Sequence, residues 1–150
     1  MKKQLFIVAL LAFVLTGCKD TAKVSNTQTE TFDLTVLHKD WSFDDKARQF
    51  YCHFDLPEIT TQLYNYGNWT VSREYNKGDK NAYQVALPMS CFMTDTLSNG
   101  SVAYYTQYID YRLGVGYIEV QLTNSDYLYV YQGGKPVAPE DMDFRLQLMY

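Results

Sequence analysis

The chain has 150 residues, 47% of them hydrophobic and 16% aromatic, with 13 basic against 17 acidic side chains. That length suits a single domain able to bury a real core without a set of disulfide staples. A net charge of −4 with no Lys/Arg cluster argues against nucleic acid as a partner, and against membrane binding through a basic patch.

Met1, Lys2 and Lys3 form a cationic start, followed by an apolar run from Leu5 to Leu15. Such a run is too short for a membrane-spanning helix, which needs about 20 residues, but has the outline of a secretory signal. The residues Leu15-Thr16-Gly17-Cys18 resemble the lipobox of bacterial lipoproteins, in which the cysteine is acylated and the chain is cut just before it. The resemblance implies a leader over residues 1–17 and a lipidated N-terminus at Cys18, with the membrane as a partner through that anchor. Two or more acyl chains hold a protein on a bilayer where one gives marginal binding. Lys19 leans towards the outer membrane, by analogy with envelope sorting in enteric bacteria; either face is open. Residues 18–31 complete a lipidated cysteine and flexible polar tether, and residues 32–150 form the folded domain.

Two-residue alternation, the signature of half-buried strands, then recurs. Phe32, Leu34 and Val36 alternate with polar residues, and Phe50, Cys52, Phe54 and Leu56 do so after an acidic turn. Pro57 predicts the first turn of a short helix through about Tyr64, with Gly67 as its exit. Trp69, Val71 and Tyr75 mark a third strand, closed by the turn Asn76-Lys77-Gly78-Asp79. Tyr83, Val85, Leu87, Met89 and Cys91 read as one strand face, with Pro88 indicating an edge or bulge. Residues 101–111, Ile118-Val120-Leu122, Tyr127–Tyr131 and Phe144-Leu146-Leu148 supply further strands, the last following a Gly/Pro loop from Gln132 to Pro139.

About eight strands at hairpin spacing with one short helix predict an all-β, antiparallel β-sandwich. Uneven strand lengths favour it over a closed lipocalin-like barrel with an apolar cavity. The segments Phe54–Thr60, Tyr83–Pro88, Leu122–Tyr127 and Asp143–Leu146, taken with the lipobox, resemble a family of small lipoproteins from Bacteroides-type bacteria. The resemblance implies an envelope-anchored β domain and carries over no catalytic residues.

Cys52 and His53 are adjacent, so on a strand they point to opposite faces and cannot form a nucleophile–base dyad. Cys52 and Cys91 both fall at inward positions; they could form a disulfide if their strands face each other, and two separate buried thiols is the preferred reading. His53 shares a face with Tyr51 and Asp55, but His38 is far off in sequence, so a surface histidine is preferred to a metal site. Asp40, Asp44 and Asp45 lack the spacing of a calcium loop, and Glu119 has no partner carboxylate placed by sequence. No nucleophile-elbow, phosphate-loop or dinucleotide motif occurs, so no catalytic residue, metal or cofactor is assigned. Tyr127, Tyr129 and Tyr131, joined by Tyr117, are the candidate binding face. Asp20-Thr21-Ala22 and Asp95-Thr96-Leu97 fit a three-residue O-glycosylation pattern, marking Thr21 and Thr96.

The expectation is a lipid-anchored envelope module that binds a glycan or partner protein without catalysis. The alternatives are a small hydrolase or metal-dependent enzyme using His53, and a barrel carrying an apolar ligand.

Overall fold

Strand alternation in this chain resolves into two antiparallel sheets that press their apolar faces together. The computed structural model describes residues 28–97, 100–125, 129, 131–132 and 135–150. Its strands are β1 (Thr29–Val36), β2 (Ser42–Asp44), β3 (Gln49–Asp55), β4 (Asn68–Tyr75), β5 (Tyr83–Ala86), β6 (Met89–Thr96), β7 (Val102–Gly114), β8 (Tyr117–Asn124), β9 (Tyr131–Gln132), β10 (Lys135–Pro136) and β11 (Met142–Met149). One helix, α1 (Thr61–Tyr66), lies between β3 and β4. The four-stranded sheet runs β1-β11-β4-β5 and the five-stranded sheet β2-β3-β8-β7-β6, while β9 and β10 form a separate ribbon. The fold is therefore an all-β sandwich, with two distinct sheets where the barrel alternative required one closed wall.

Inward residues line up across each sheet. Leu34 pairs with Phe144, and Leu146 with Val71; opposite them, Phe50 pairs with Leu122 and Cys52 with Val120. Phe144, Leu146, Leu148, Ile109, Ile118 and Val120 are fully buried. Burying each such side chain stabilises the fold by roughly 1.5–3 kcal/mol before the entropy of ordering is counted.

The structure changes several boundaries. β1 begins at Thr29, inside the stretch expected to be tether, because its backbone pairs with Met149 through Gln147 while its exposed polar side chains carry no periodic signal. The helix begins after Thr60, whose hydroxyl accepts the Leu63 N–H at 3.2 Å. Pro57 instead lies in a preceding turn, held where the Ile59 N–H donates to the Leu56 carbonyl at 3.0 Å and Ile59 is fully buried. The Gly/Pro loop contains β9 and β10, and Tyr129 lies outside any strand.

The largest change concerns residues 83–91, expected as one strand. The chain leaves the four-stranded sheet after Ala86 and enters the five-stranded sheet at Met89, turning at the cis Leu87–Pro88 bond. Proline has no N–H to continue a ladder, so the sheet change falls there. Inward parity survives the crossing: Val85, Leu87, Met89 and Cys91 are all buried or half-buried. From this corner β5 and β6 run in different sheets, and the space between the sheets beyond it is the cleft described next.

The hairpin joining β7 to β8 turns on Val115-Gly116, with Gly116 at φ 83°, a left-handed value that glycine adopts without a Cβ clash. At Gly114 the ring of Tyr117 occupies the place a Cβ would take.

Candidate functional site

The inward positions of β4 read Trp69, Val71, Arg73 and Tyr75, so an arginine occupies a place that alternation reserves for an apolar residue. Its cross-strand neighbours are Phe144 on β11 and Val85 on β5. Facing it, the five-stranded sheet breaks its own apolar pattern at the same end: Gln107 stands two residues before Ile109 on β7, and Asn124 two residues after Leu122 on β8. These substitutions line a cleft of about 560 Å³ between the sheets, closed on its third side by residues 137–142.

Contacts within the cleft order its polar groups. Tyr105 donates to Asp95 Oδ2 at 2.8 Å, and Gln107 Nε2 donates to Asn124 Oδ1 at 3.3 Å. Both amide residues are buried. The Arg73 guanidinium carbon stands 4.4 Å from the centroid of the Tyr75 ring, an attractive cation–π geometry. Arg73 Nε is buried and has no hydrogen-bond partner, and among the described residues no carboxylate pairs with the guanidinium. Burial, with the Asp95 carboxylate beside it, pushes the Tyr105 phenol well above the usual tyrosine range, so it is a firm donor at neutral pH. Burial also raises the Tyr75 phenol, partly offset by Arg73.

Among the described residues lining the cleft, Cys91 is the one thiol and there is no histidine. His53 sits on the opposite, outer face of the same sheet, with Nε2 3.3 Å from Asp55 Oδ1 and its ring stacked on Tyr117 at 5.1 Å. His38 is bonded through Nδ1 to the Pro139 carbonyl at 2.8 Å. Among the described residues, no three His, Cys, Asp or Glu side chains converge as metal ligands. Asp44 is capped by the backbone N–H groups of Lys46 and Ala47, which hold its carboxyl below the usual range, and Asp40 accepts from Leu37 N–H. Glu119 accepts from Gln121 at 2.7 Å on the outer face.

The two cysteines are separate free thiols, so the disulfide alternative is not the arrangement found. Cys52 is on β3 and Cys91 on β6, three strand spacings apart in one sheet, or about 14 Å, where a disulfide needs Cα atoms within about 7 Å. Strand parity showed both to be inward, and could not show that they share a sheet.

The expected tyrosine face is not one surface. Tyr117 lies on the outer face of β8, whereas Tyr129 turns inward, its ring edge-on to Phe43 and Phe50 and its hydroxyl donating to the Arg48 carbonyl. Tyr131 is in β9, and its side chain is outside what is described; Tyr127, Thr21 and Cys18 lie outside the described residues. Thr96 is exposed at the end of β6. The exposed rings are elsewhere on the outer face: Phe92 (70% exposed) stacks on Tyr104 (67%) with centroids 5.8 Å apart.

A second hollow, of about 490 Å³, lies beside α1 and is lined by Glu30, Glu58, Tyr66 and Tyr150 among others. Its walls are mostly exposed side chains, whereas the intersheet cleft is built on inward strand positions. No protein-family model, no curated protein and no solved structure matches this chain.

Proposed function

We propose that the chain is a lipid-anchored binding protein of the cell envelope, without catalytic activity, that takes its ligand in the cleft between its sheets. The observation that carries this reading is Arg73, a cation at an inward position with no carboxylate partner among the described residues, facing a cleft of mixed polar and apolar lining. Arg73 is half-buried with its Nε fully buried; leaving that donor unsatisfied is costly, and a ligand group that accepts from it removes the cost. The cleft offers hydrogen-bonding groups and aromatic walls but no histidine beside its thiol, which suits binding better than nucleophilic chemistry. The lipobox Leu15–Cys18, the polar stretch after it and the resemblance to Bacteroides-type lipoproteins support the envelope address.

Two measurements test this. A clickable fatty acid fed to cells should label the chain, and Cys18→Ala should abolish the label; persistent labelling without Cys18 removes the anchor. Thermal-shift screening of the full chain against small envelope metabolites should find compounds that raise Tm and slow alkylation of Cys91. Stabilising compounds that leave Cys91 equally reactive would bind elsewhere.

A second reading rests on the stacked pair Phe92 and Tyr104, flanked by Thr94 and Thr106 on the same outer face. Exposed rings bordered by hydroxyls suit a glycan, which stacks its sugar face on aromatics. Retention of the wild-type chain, but not of Phe92→Ala/Tyr104→Ala, on immobilised envelope polysaccharide is the expected result.

A further inference from the structure

We propose that the ligand of the intersheet cleft is a monocarboxylate with an apolar body, docked through its carboxylate on Arg73; this rests on the binding reading above. The protein's other cations near β4 show what Arg73 lacks. On the outer face, Arg145 reaches Asp33 at 2.8 Å and Glu74 at 3.2 Å, and Lys77 reaches Asp33, Glu74 and Asp143 at 3.6–3.7 Å. Glu74 is the next residue after Arg73 and points the other way, so one step of strand parity separates a network of ion pairs from an arginine with no acidic partner among the described residues.

The geometry of Arg73 fits a carboxylate. Tyr75 covers one face of its guanidinium at 4.4 Å, and Nε is buried with nothing accepting from it. Guanidinium N–H groups form a planar fork matched to two carboxylate oxygens.

Charge sets the number of negative groups. Among the described residues lining the cleft, Arg73 is the one cation, and Asp95 and Glu140 line it too. With both carboxylates in the lining, a phosphate dianion would meet twice the repulsion of a monoanion for the same one guanidinium, so a single negative charge is the better tolerated. The remaining walls set the body: Phe50, Leu122, Met93, Met142 and the rings of Tyr75 and Tyr105 form apolar surface beside the arginine. A volume of about 560 Å³ lies in the range of small-molecule sites.

The test is calorimetric titration of the full chain with matched pairs: 3-phenylpropionate against 3-phenylpropionamide, and glucuronate against glucose. Phenylpropionate should bind at least tenfold more tightly than its amide. That preference should vanish in Arg73→Met and be partly kept in Arg73→Lys. Equal binding of acid and amide to the wild type overturns docking on Arg73 while leaving a cleft that binds, and needs no variant to fold. Tighter binding of glucuronate than of phenylpropionate overturns the apolar body and keeps the carboxylate. If none of the four binds or slows Cys91 alkylation, while no compound in the metabolite screen does so either, the binding reading itself falls.

Discussion

Tyr105 on β7 donates a 2.8 Å hydrogen bond to Asp95 on β6, diagonally across the inner face of the five-stranded sheet. Tyr105→Phe removes the donor and leaves a half-buried carboxylate without it, so it should cost about 1–3 kcal/mol in urea unfolding at pH 7. The pH dependence has a defined sign. The folded-state value of this phenol lies above its ordinary value near 10, so its contribution is complete below pH 10 and is lost as pH rises further. Tyr105→Phe should therefore lose less stability than the wild type between pH 10 and 11. Parallel stability curves in that window would refute the link.

The two thiols should differ in reactivity. Cys91 is half-buried and lines the cleft, whereas Cys52 is buried in the core with its thiol pushed up by burial and by Asp40. In a Cys18→Ser chain, a chromogenic disulfide reagent should modify Cys91 in the native state and Cys52 on unfolding. Native release of two equivalents at one rate would contradict the placement of Cys52.

Two glycines should tolerate alanine unequally. A Cβ at Gly67 would meet the Leu63 carbonyl oxygen at 2.7 Å, and backbone at a helix end cannot easily move. Gly67→Ala should therefore cost about 1–3 kcal/mol. At Gly114 the obstacle is the far end of the Tyr117 ring, which can swing away. Gly114→Ala should cost less, and should shift the NMR resonances of the His53 ring as Tyr117 leaves its stacked position. Equal loss of Tm in both variants would show that the ring at 117 is not free to move.

Acid should weaken the outer network in a defined direction. The Arg145 guanidinium holds the Asp33 carboxyl below its ordinary 3.8, so the stability this provides is present above pH 4 and lost as pH falls through the lower folded value. Asp33→Asn should make the acid limb of the Tm profile shallower, by a small amount because the pair is exposed, and 1 M NaCl should shrink the difference. An unchanged acid limb at low salt would remove Asp33 from the account.

Strand parity made the fold class and much of the core legible: Ile118, Val120 and Leu122, and Phe144, Leu146 and Leu148, are inward as alternation required. It could not show which sheet a strand joins, and so misjudged residues 83–91 as continuous and left Cys52 and Cys91 as a possible pair. Arg73, Gln107 and Asn124 are polar residues in apolar phase, and only pairing of their strands in space brings them to one place. The tyrosine face was read from spacing within 127–131, where the fold turns Tyr129 into the core instead.

β1 pairs in its sheet with β11 alone, and the Gln28 and Tyr150 backbones exchange hydrogen bonds at 2.9 and 3.1 Å. β1 therefore cannot take its place until β11 has been made, and it joins β4 only through that strand, while β4 already has β5 to pair with. Closing a loop of that length is slow and exposes unpaired edges meanwhile. Among the described strands, this topology leaves the four-stranded sheet open on the β1 side until residue 149 is in place.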